Sequence, residues 1–463
     1  MRGQNTWSYR PYKPLLWNVG DIYICRVVPY TNSITLEWLG EDLGSYSVFF
    51  RKRNEGDFSL AGVTEENAFT ILGLDTNTDY EFYVSSENKK SRTRLAHTGE
   101  GYGITVNYLH PEDEAYSFSG RYLCSPSMVR HPEGFLLASC DLYGPGHPQN
   151  LTLIFRSDDN GASWHYLSEL MPCFWGKLFI HRDELYMLAC TTEYGDLVIG
   201  RSLDGGRSFS APVTLLRGSG GKNGNVGVHK NPQNIIIKDG RLWNTMEWGS
   251  WANSDYYHAV MVMSCGIDDD LLNPESWHFS EPVKYDPQWE GTVNGVSKGN
   301  IEGTLTVAPD GNLYNIMRYS IVRGEPPYGL VLAYKVNTED PDAPLAYSHS
   351  IKMPCNESKF TIKFDDTSGK YYSVATRIDC EKRKNRRSLL SLLCSTDLEN
   401  WCVVCDLADY RDEDDDHIGF QYCDFEFDGD DLIYLCRTAI NGANSFHDSN
   451  YLTFHRIKNF RNI

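Results

Sequence analysis

A short turn motif recurs three times in the last two thirds of the chain. Its copies are 157–164 (SDDNGASW), 202–209 (SLDGGRSF) and 395–401 (STDLENW). Each copy has a serine and an aspartate two residues apart, then glycine or asparagine, then an aromatic residue. In such a β-turn the aspartate accepts hydrogen bonds from turn amides, glycine or asparagine tolerates a positive φ, and the aromatic ring packs underneath. A turn repeated in this way predicts a fold assembled from repeated units of β-structure.

Paired β-rich runs keep step with these turns. Helical periodicity is almost absent, and aromatic residues make up 13% of the chain, which is typical of an all-β protein. Six hairpins are predicted, with first strands near residues 127, 177, 233, 304, 360 and 422. Because a third strand leads from each hairpin towards a turn, they form six units of about 60 residues. The sequence therefore predicts a six-bladed β-propeller over 100–463, with 103–108 as a closing strand.

The residues before the repeats have a pattern of their own. Between 20 and 98, five short alternating strands are separated by turns, as in a β-sandwich. Trp38 and the segment 72–84 (LGLDTNTDYEFYV) resemble the fibronectin type III module, which has a core tryptophan on one strand and a leucine-then-tyrosine corner before a later one. The resemblance covers 20–98. Modules of this kind are mostly spacers or docking surfaces, so we expect this domain to be dispensable for chemistry.

Charge and hydropathy exclude several classes of function. Sixty-two acidic against 43 basic residues give a net charge of −19, which argues against nucleic acid as a partner. No run approaches the roughly 20 apolar residues of a membrane span, so we predict no membrane partner. No secretion signal is visible in 1–30, and the 13 cysteines lie mostly in apolar runs. These features predict a cytoplasmic protein, or a secreted one if a leader has been removed. The histidines form no zinc-binding cluster, and we predict no metal and no cofactor.

The turn motif resembles the Asp box of sialidase-type β-propellers. In such a propeller the residues that enter the inner strands and those that leave the second strands gather at one mouth, while the boxes lie on the opposite rim. Applied to the six units, this rule gives one set of mouth positions. The set contains Cys124, Trp175, His229, Glu302, Lys359 and Tyr422 at the inner strands, Asp141, Cys190, Glu247, Arg318, Arg377 and Arg437 at the second strands, and Arg387, His447 and Asp448 in loops. A ring this rich in ionisable residues predicts a functional site at the mouth.

Four of these residues match the sialidase pattern in order and spacing. Bacterial sialidases carry a glutamate, a hairpin and then an arginine 16 residues later, as Glu302 and Arg318 do here. They also carry an arginine before an Asp box, as Arg387 is, and a tyrosine that opens the last blade, as Tyr422 does. The resemblance implies a glycoside hydrolase in which the tyrosine passes its proton to the glutamate and attacks the anomeric carbon, while arginines bind a substrate carboxylate. In the alternative reading, the tyrosine and the glutamate only fill the central channel.

The mouth positions add further candidates to this set. As catalytic residues we predict His229 and Asp141 in addition to Tyr422 and Glu302. The predicted substrate-binding residues are Arg318, Arg387, Arg377, Arg437, Glu247, Gln421 and His447.

Two departures from the sialidase pattern bear on the substrate. Where the first sialidase blade carries a carboxylate-binding arginine, this chain has Cys124, with Arg121 three residues earlier. The sialidase acid, an aspartate, is expected where this chain has His147, so either His147 or Asp141 has to serve as the acid. We therefore expect negligible hydrolysis of ordinary sialic acid linkages.

A looser resemblance connects the chain to sialidase-fold enzymes that cleave rhamnose–glucuronic acid linkages by hydrolysis or by elimination. It rests on 125–127 (SPS), 138–141 (ASCD) and 447–460. Such relatives often show histidine after Ala-Ser, where this chain has Cys140, so a proton-transfer role falls to His229 or is absent. The prediction is an exo-acting glycoside hydrolase on an acidic or uronic-acid-containing glycan. The alternatives are a uronate lyase on the same fold and an inactive glycan-binding propeller.

Overall fold

A computed structural model describes residue 7 and residues 22–40, 44–219, 225–292, 297–321, 328–355, 358–380 and 385–463. These residues form β-strands and loops, with two short 3₁₀ turns at Pro274–Ser276 and Phe460–Asn462, and they contain no α-helix. Accordingly, no helix in this part of the chain is long and apolar enough to cross a membrane. The predicted all-β class is confirmed.

Two antiparallel sheets precede residue 100. Their strands are β1 (Tyr23–Pro29), β2 (Ser33–Leu39), β3 (Tyr46–Lys52), β4 (Ser59–Thr64), β5 (Ala68–Leu72), β6 (Asp79–Ser86), β7 (Lys89–Lys90) and β8 (Arg94–His97). One sheet has the order β1-β2-β5, and the other has the order β4-β3-β6-β7, with β8 also paired to β6. The two sheets share one core, in which Trp38 and Phe82 are fully buried. The five predicted strands are present, and β4, β7 and β8 were not predicted.

The predicted tyrosine corner forms within this sandwich. The Tyr80 hydroxyl accepts a hydrogen bond from the Asp75 amide (2.8 Å), the type of contact that defines such a corner. The assignment of 20–98 to a fibronectin type III-like domain stays a prediction.

Six further sheets follow along the chain as the blades of a propeller. After β9 (Ile104–Tyr108), the strands of blades 1 and 2 are β10 (Tyr122–Arg130), β11 (Leu136–Tyr143), β12 (Thr152–Ser157), β13 (His165–Leu170), β14 (Phe174–His181), β15 (Glu184–Cys190), β16 (Leu197–Ser202) and β17 (Val213–Leu216). Blades 3 and 4 contain β18 (Gly227–His229), β19 (Ile236–Lys238), β20 (Arg241–Gly249), β21 (His258–Gly266), β22 (Trp277–Phe279), β23 (Ser297–Val307), β24 (Leu313–Ile321), β25 (Leu330–Lys335) and β26 (Ala346–Lys352). Blades 5 and 6 contain β27 (Lys363–Asp365), β28 (Lys370–Thr376), β29 (Leu389–Ser395), β30 (Trp401–Asp409), β31 (Gly419–Asp428), β32 (Asp431–Ala439) and β33 (Tyr451–Ile457).

The ring is closed by the strand that the sequence predicts. β9 pairs antiparallel with β33, so the sixth sheet has the order β31-β32-β33-β9. β31 also packs against β10, which brings the last blade next to the first. The six-bladed propeller is thereby confirmed. Blade 3 differs from the prediction of one inner strand over 233–237, because its inner edge is split into β18 and β19.

In blade 4, β23 has a register shift between Ser297 and Gly299, and in addition the inner strands of blades 1, 2, 4 and 6 each contain a bulge at an equivalent position. The pairing register shifts there, and one residue has a positive φ, namely Ser125 (51°), Trp175 (54°), Glu302 (56°) and Tyr422 (57°). A bulge re-aims a side chain, because the extra residue interrupts the alternation of the strand. Glu302 and Tyr422 are therefore equivalent residues of two blades.

The three turns that the sequence analysis compares with Asp boxes close the third strands of blades 1, 2 and 5. In the first, the Asp159 carboxylate accepts hydrogen bonds from the Ser157 hydroxyl and the Ser163 amide, both at 2.8 Å, and Trp164 is buried. The other two boxes repeat the bonds from the serine hydroxyl and from a turn amide. Since the first strand of a blade leaves the mouth, the second returns and the third leaves again, these turns lie at the end opposite the mouth.

The sandwich is fused to the propeller through a buried interface. All seven residues of β1 are buried, and β1 contacts β9 of the closing blade. Arg94 pairs with Asp113 (2.6 Å), and both side chains are at most 4% exposed. Arg26 donates a hydrogen bond to the main-chain oxygen of Val106 (2.7 Å). The sandwich therefore covers apolar and polar surface that the propeller alone would expose to water.

Candidate active site

Three side chains from blades 4 and 6 meet at the mouth. Tyr422 lies on β31, Glu302 on β23 and Arg318 on β24. The Tyr422 hydroxyl donates to the Glu302 carboxylate, with oxygen–oxygen distances of 2.8 and 3.1 Å. Arg318 Nη1 donates to Glu302 Oε2 (2.6 Å) and to the Tyr422 hydroxyl oxygen (3.2 Å). The structure thus joins the predicted nucleophile, the predicted base and one predicted arginine in one contact group.

Burial and charge set the protonation states of this group. Burial raises the pKa of Glu302, but the charges of Arg318 and His229 and the hydrogen bond from Tyr422 bring it below its ordinary value. Burial, and then the charge of Glu302, raises the pKa of Tyr422 against the opposing effect of nearby arginines. At neutral pH the pair is therefore a carboxylate and a neutral phenol, the state in which the carboxylate can accept the phenol proton.

Two more arginines flank the Tyr422 ring. The guanidinium carbons of Arg387 and Arg437 lie 5.6 and 5.2 Å from the ring centroid. Arg387 donates to the side-chain oxygen of Gln421, and Arg437 donates to the main-chain oxygen of His447. Burial lowers the pKa of Arg387 to about 10, which leaves it charged at neutral pH. Three cations, Arg318, Arg387 and Arg437, therefore surround the Tyr422 phenol. Such a set is suited to binding a carboxylate.

A histidine–glutamate pair on blade 3 lies beside the contact group. His229 Nδ1 and Glu247 Oε2 are 2.5 Å apart, and both side chains are buried. The other carboxylate oxygen of Glu247 accepts a hydrogen bond from the amide of Gly303 (3.2 Å), the residue that follows Glu302. The His229 ring packs edge-on against Trp175, with 4.3 Å between ring centroids. Because Nδ1 is engaged by the glutamate, Nε2 is the nitrogen left for proton exchange.

Asp141 is fully buried and bound to neighbouring groups. Its carboxylate accepts hydrogen bonds from the Thr152 hydroxyl (2.5 Å) and from the Trp175 amide (2.6 Å). Burial raises the pKa of Asp141 to about 7. These contacts tie blade 1 to the start of blade 2, and the predicted catalytic role of Asp141 stays a prediction.

The side chains of two predicted substrate-binding residues, Arg377 and His447, are each bound to an aspartate. Arg377 donates to Asp406 on β30 (2.8 Å) and to Ser391 on β29 (3.0 Å). His447 Nδ1 lies 3.0 Å from Asp448. Burial lowers the pKa of His447 to about 4, so its ring is neutral at pH 7. The structure brings both the main-chain oxygen and the ring of His447 to Arg437, with His447 Nδ1 3.5 Å from Arg437 Nη2, but keeps Arg377 within its own blade.

Sequence reasoning missed Tyr257. This residue precedes β21, and its phenol lies within electrostatic reach of Arg318, Glu302 and Tyr422. The rule for mouth positions uses only the first two strands of each blade, whereas residues that enter a third strand also lie at the mouth. Extending the rule to the third strands would have found it.

The described residues contain no group of three or more His, Cys, Asp or Glu side chains that could hold a metal ion. The group around Tyr422 has instead the parts of a nucleophilic and acid–base site, namely a phenol, a carboxylate partner and a histidine–glutamate pair.

Comparison with known proteins bears on the fold. No protein-family model matches the chain, and no curated protein matches it either. Among solved structures, the α-L-arabinanase of Penicillium chrysogenum complexed with arabinobiose has a TM-score of 0.50 and 15% identity, over 78% of this chain and 98% of that one. The Trypanosoma rangeli sialidase in complex with sialic acid has a TM-score of 0.46 and 14% identity, over 76% of this chain and 57% of that one. A PL25 ulvan lyase has a TM-score of 0.44 and 10% identity, over 98% and 94%. All three are β-propeller enzymes, and the likeness to the arabinanase shows that this chain has the same fold.

Proposed function

We propose that this protein is a carbohydrate-active enzyme, an exo-acting glycoside hydrolase on an acidic or uronic-acid-containing glycan. The observation that carries the proposal is the hydroxyl of Tyr422, 2.8 Å from the buried carboxylate of Glu302. A neutral phenol with a carboxylate partner is the nucleophile of the tyrosine exception among retaining glycosidases. After attack the tyrosine oxygen carries no charge, which suits a substrate with a carboxylate of its own.

Each residue of the site has a defined part in this reaction. In the first step Tyr422 passes its proton to Glu302, its oxygen bonds to the anomeric carbon, and the glycosidic C–O bond breaks. The leaving oxygen takes a proton from Nε2 of His229. In the second step water attacks the anomeric carbon and gives its proton to His229, while Tyr422 leaves and regains its proton from Glu302. The enzyme is restored, and one water has been consumed.

Three arginines support an acidic substrate. Arg318, Arg387 and Arg437 surround the phenol in a chain whose net charge is −19. Buried guanidinium groups favour a ligand that brings its own carboxylate, because charge-assisted and bidentate hydrogen bonds from arginine to a carboxylate are strong. Gln421 and Glu247 are positioning residues in this proposal, since they hold Arg387 and His229 respectively.

The His229–Glu247 pair favours a second candidate, a uronate lyase. Elimination needs a base that removes the proton beside the uronate carboxylate and an acid that protonates the leaving oxygen. A histidine oriented by a glutamate at 2.5 Å, with Tyr422 across the mouth, offers both groups. A third candidate, glycan binding without turnover, requires the same mouth but no chemistry.

Product analysis distinguishes these candidates. The protein is incubated with oligosaccharides that end in rhamnose–glucuronate, galacturonate or sialic acid. Hydrolysis releases a saturated sugar that incorporates isotope-labelled oxygen from water. Elimination instead gives an unsaturated uronate that absorbs ultraviolet light and contains no solvent oxygen. Binding of a glycan without any product at high enzyme concentration would contradict both enzymatic proposals.

A further inference from the structure

A cavity opens near the His229–Glu247 pair, and two of its lining residues, Trp251 and His258, have rings that pack against the ring of His229. Its volume is about 490 Å³, within the range of cavities that hold small ligands, and it is lined by 251–259 together with Lys284, Tyr285 and Pro287. The first of these segments is the loop between β20 and β21, and the second follows β22. The loop that forms most of this cavity begins directly after β20, the strand on which Glu247 lies.

Trp251 connects this cavity to the proposed site. Its ring lies 6.5 Å from the ring of His229 and packs edge-on against His258 (4.8 Å) and Tyr257 (5.3 Å), centroid to centroid. The Trp251 amide donates a hydrogen bond to the Tyr194 hydroxyl (2.9 Å), which anchors the start of the loop. Nevertheless 46% of Trp251 is exposed to solvent. An anchored, half-exposed indole in a cavity is a surface on which the apolar face of a sugar ring can stack.

A cation stands at the same cavity. The ammonium of Lys284 lies 3.9 Å from the centroid of the Tyr256 ring, and it forms no ion pair with any described residue. Asp255, whose side chain is exposed to solvent, is the carboxylate among the residues that line the cavity. A lysine that pairs with no carboxylate of the described residues, in a protein of net charge −19, favours an anionic ligand.

We infer that this cavity is a second sugar subsite, which binds the uronate residue next to the cleaved linkage. The sugar ring stacks on Trp251, and its carboxylate pairs with Lys284. The inference rests on the proposed function, since it extends the glycan from the contact group at Tyr422 past His229. The enzyme therefore selects glycans that carry a second acidic sugar beside the one that reacts.

The test measures binding and turnover separately. Binding is followed by calorimetry with three probes, which are tetragalacturonate, hyaluronan tetrasaccharide and the neutral chitotetraose. We expect the wild type to bind at least one of the two acidic probes more tightly than chitotetraose. Trp251→Ala should weaken that binding by about tenfold or more, with partial recovery in Trp251→Phe. Lys284→Ala should weaken it by about threefold and should leave any binding of chitotetraose unchanged.

Lys352→Ala is the matched control, because Lys352 is an exposed lysine on the outer strand β26. Unchanged affinity in both Trp251→Ala and Lys284→Ala, or no binding of either acidic probe by the wild type, overturns the inference. Failure of the proposed function has a different signature. In that case the two variants weaken binding as expected, but the wild type forms no product from any probe.

Discussion

The hydroxyl oxygen of Tyr422 lies 2.8 Å from one carboxylate oxygen of Glu302 and 3.1 Å from the other. Both residues occupy the bulge of an inner strand with a positive φ, a conformation that costs a non-glycine residue about 1–3 kcal/mol. Ser125 and Trp175 hold the same conformation in two other blades. The bulge is therefore a feature of the repeat, and the chemistry depends on which side chain stands there.

Removing the phenol oxygen tests the proposed nucleophile. We expect Tyr422→Phe to lower kcat by about 10²–10⁴-fold on any glycan that the wild type cleaves, with little effect on glycan affinity. Glu302→Gln should have a similar effect, because an amide cannot accept the phenol proton. The measurement is product release together with calorimetric binding.

A matched control for this pair is available on blade 2. The Tyr186 hydroxyl donates to Glu184 at 2.8 Å, at the hairpin opposite the mouth. Tyr186→Phe removes a hydrogen bond of the same length and should leave kcat unchanged. Equal losses in Tyr186→Phe and Tyr422→Phe would mean that the effect on Tyr422 is structural.

The arginines are tested by their effect on an acidic substrate. Loss of one charge-assisted hydrogen bond to a buried carboxylate costs about 1.5–3 kcal/mol, or one to two orders of magnitude in affinity. We therefore expect this loss in Arg387→Ala and Arg437→Ala, and the lowest turnover in Arg318→Ala, which also releases Glu302. Arg201, paired with Glu184 far from the mouth, is the control. Affinity for the acidic glycan, measured against a neutral one, gives the result.

The sequence and the structure lead to different expectations for the mutation of Arg377. Sequence position places Arg377 at the mouth, whereas its guanidinium is bound to Asp406 within blade 5. From these contacts we expect Arg377→Ala to retain glycan affinity, and a loss equal to that of Arg387→Ala would return Arg377 to the site.

The repeat explains why so much of the site could be predicted. Once six units are in phase, the residues that enter and leave the inner hairpins must meet at one end, and this places Glu302, Arg318 and Tyr422 together. The spacing of the repeat does not reveal the direction in which each side chain points or the group that it contacts. The hydrogen bond from the Trp175 amide to Asp141 depends on packing between blades 1 and 2, which leaves no trace in the spacing of the sequence.

The buried pair between sandwich and propeller predicts a large stability effect. Arg94→Ala leaves the carboxylate of Asp113 buried without its partner, which should lower the free energy of unfolding by about 3–5 kcal/mol. Arg53 pairs with Glu112 at the same distance of 2.6 Å, but 63% of the Glu112 side chain is exposed. Arg53→Ala should therefore cost about 1 kcal/mol or less. Denaturant unfolding measures the free energy of unfolding of both variants, and equal decreases in Arg94→Ala and Arg53→Ala would contradict a buried interface. If Arg94→Ala has the larger effect, the sandwich can still be dispensable for chemistry, but the propeller depends on it for folding.

The pH dependence of stability tests the environment of Asp141. Burial raises its pKa from the ordinary 3.8 to about 7, so between these values the folded protein holds a proton that the unfolded chain releases. The stabilisation is complete below the ordinary pKa and is lost as the pH rises towards 7, at up to about 1.4 kcal/mol per pH unit. Asp141→Asn should flatten this slope in urea unfolding between about pH 4 and pH 7. The exposed Asp310 supplies the control, and an equal slope in Asp141→Asn would show that Asp141 is ionised in the folded protein.

The expected substrate preference depends on the position of Cys124 on blade 1, which carries no positive charge. Burial raises the pKa of Cys124 to about 12, so this position supplies a neutral thiol where sialidases have an arginine. Arg121, the nearest substitute in sequence, is paired with Glu114. Because this position of blade 1 offers no cation to a carboxylate at the anomeric carbon, we expect negligible release from a sialic acid reporter. A uronate has its carboxylate on the C5 side of the ring and not at the anomeric carbon, and we expect it to be the better substrate. Cys124→Ala should change turnover little, and rapid sialic acid release by the wild type would show that Arg121 leaves Glu114 to bind the substrate.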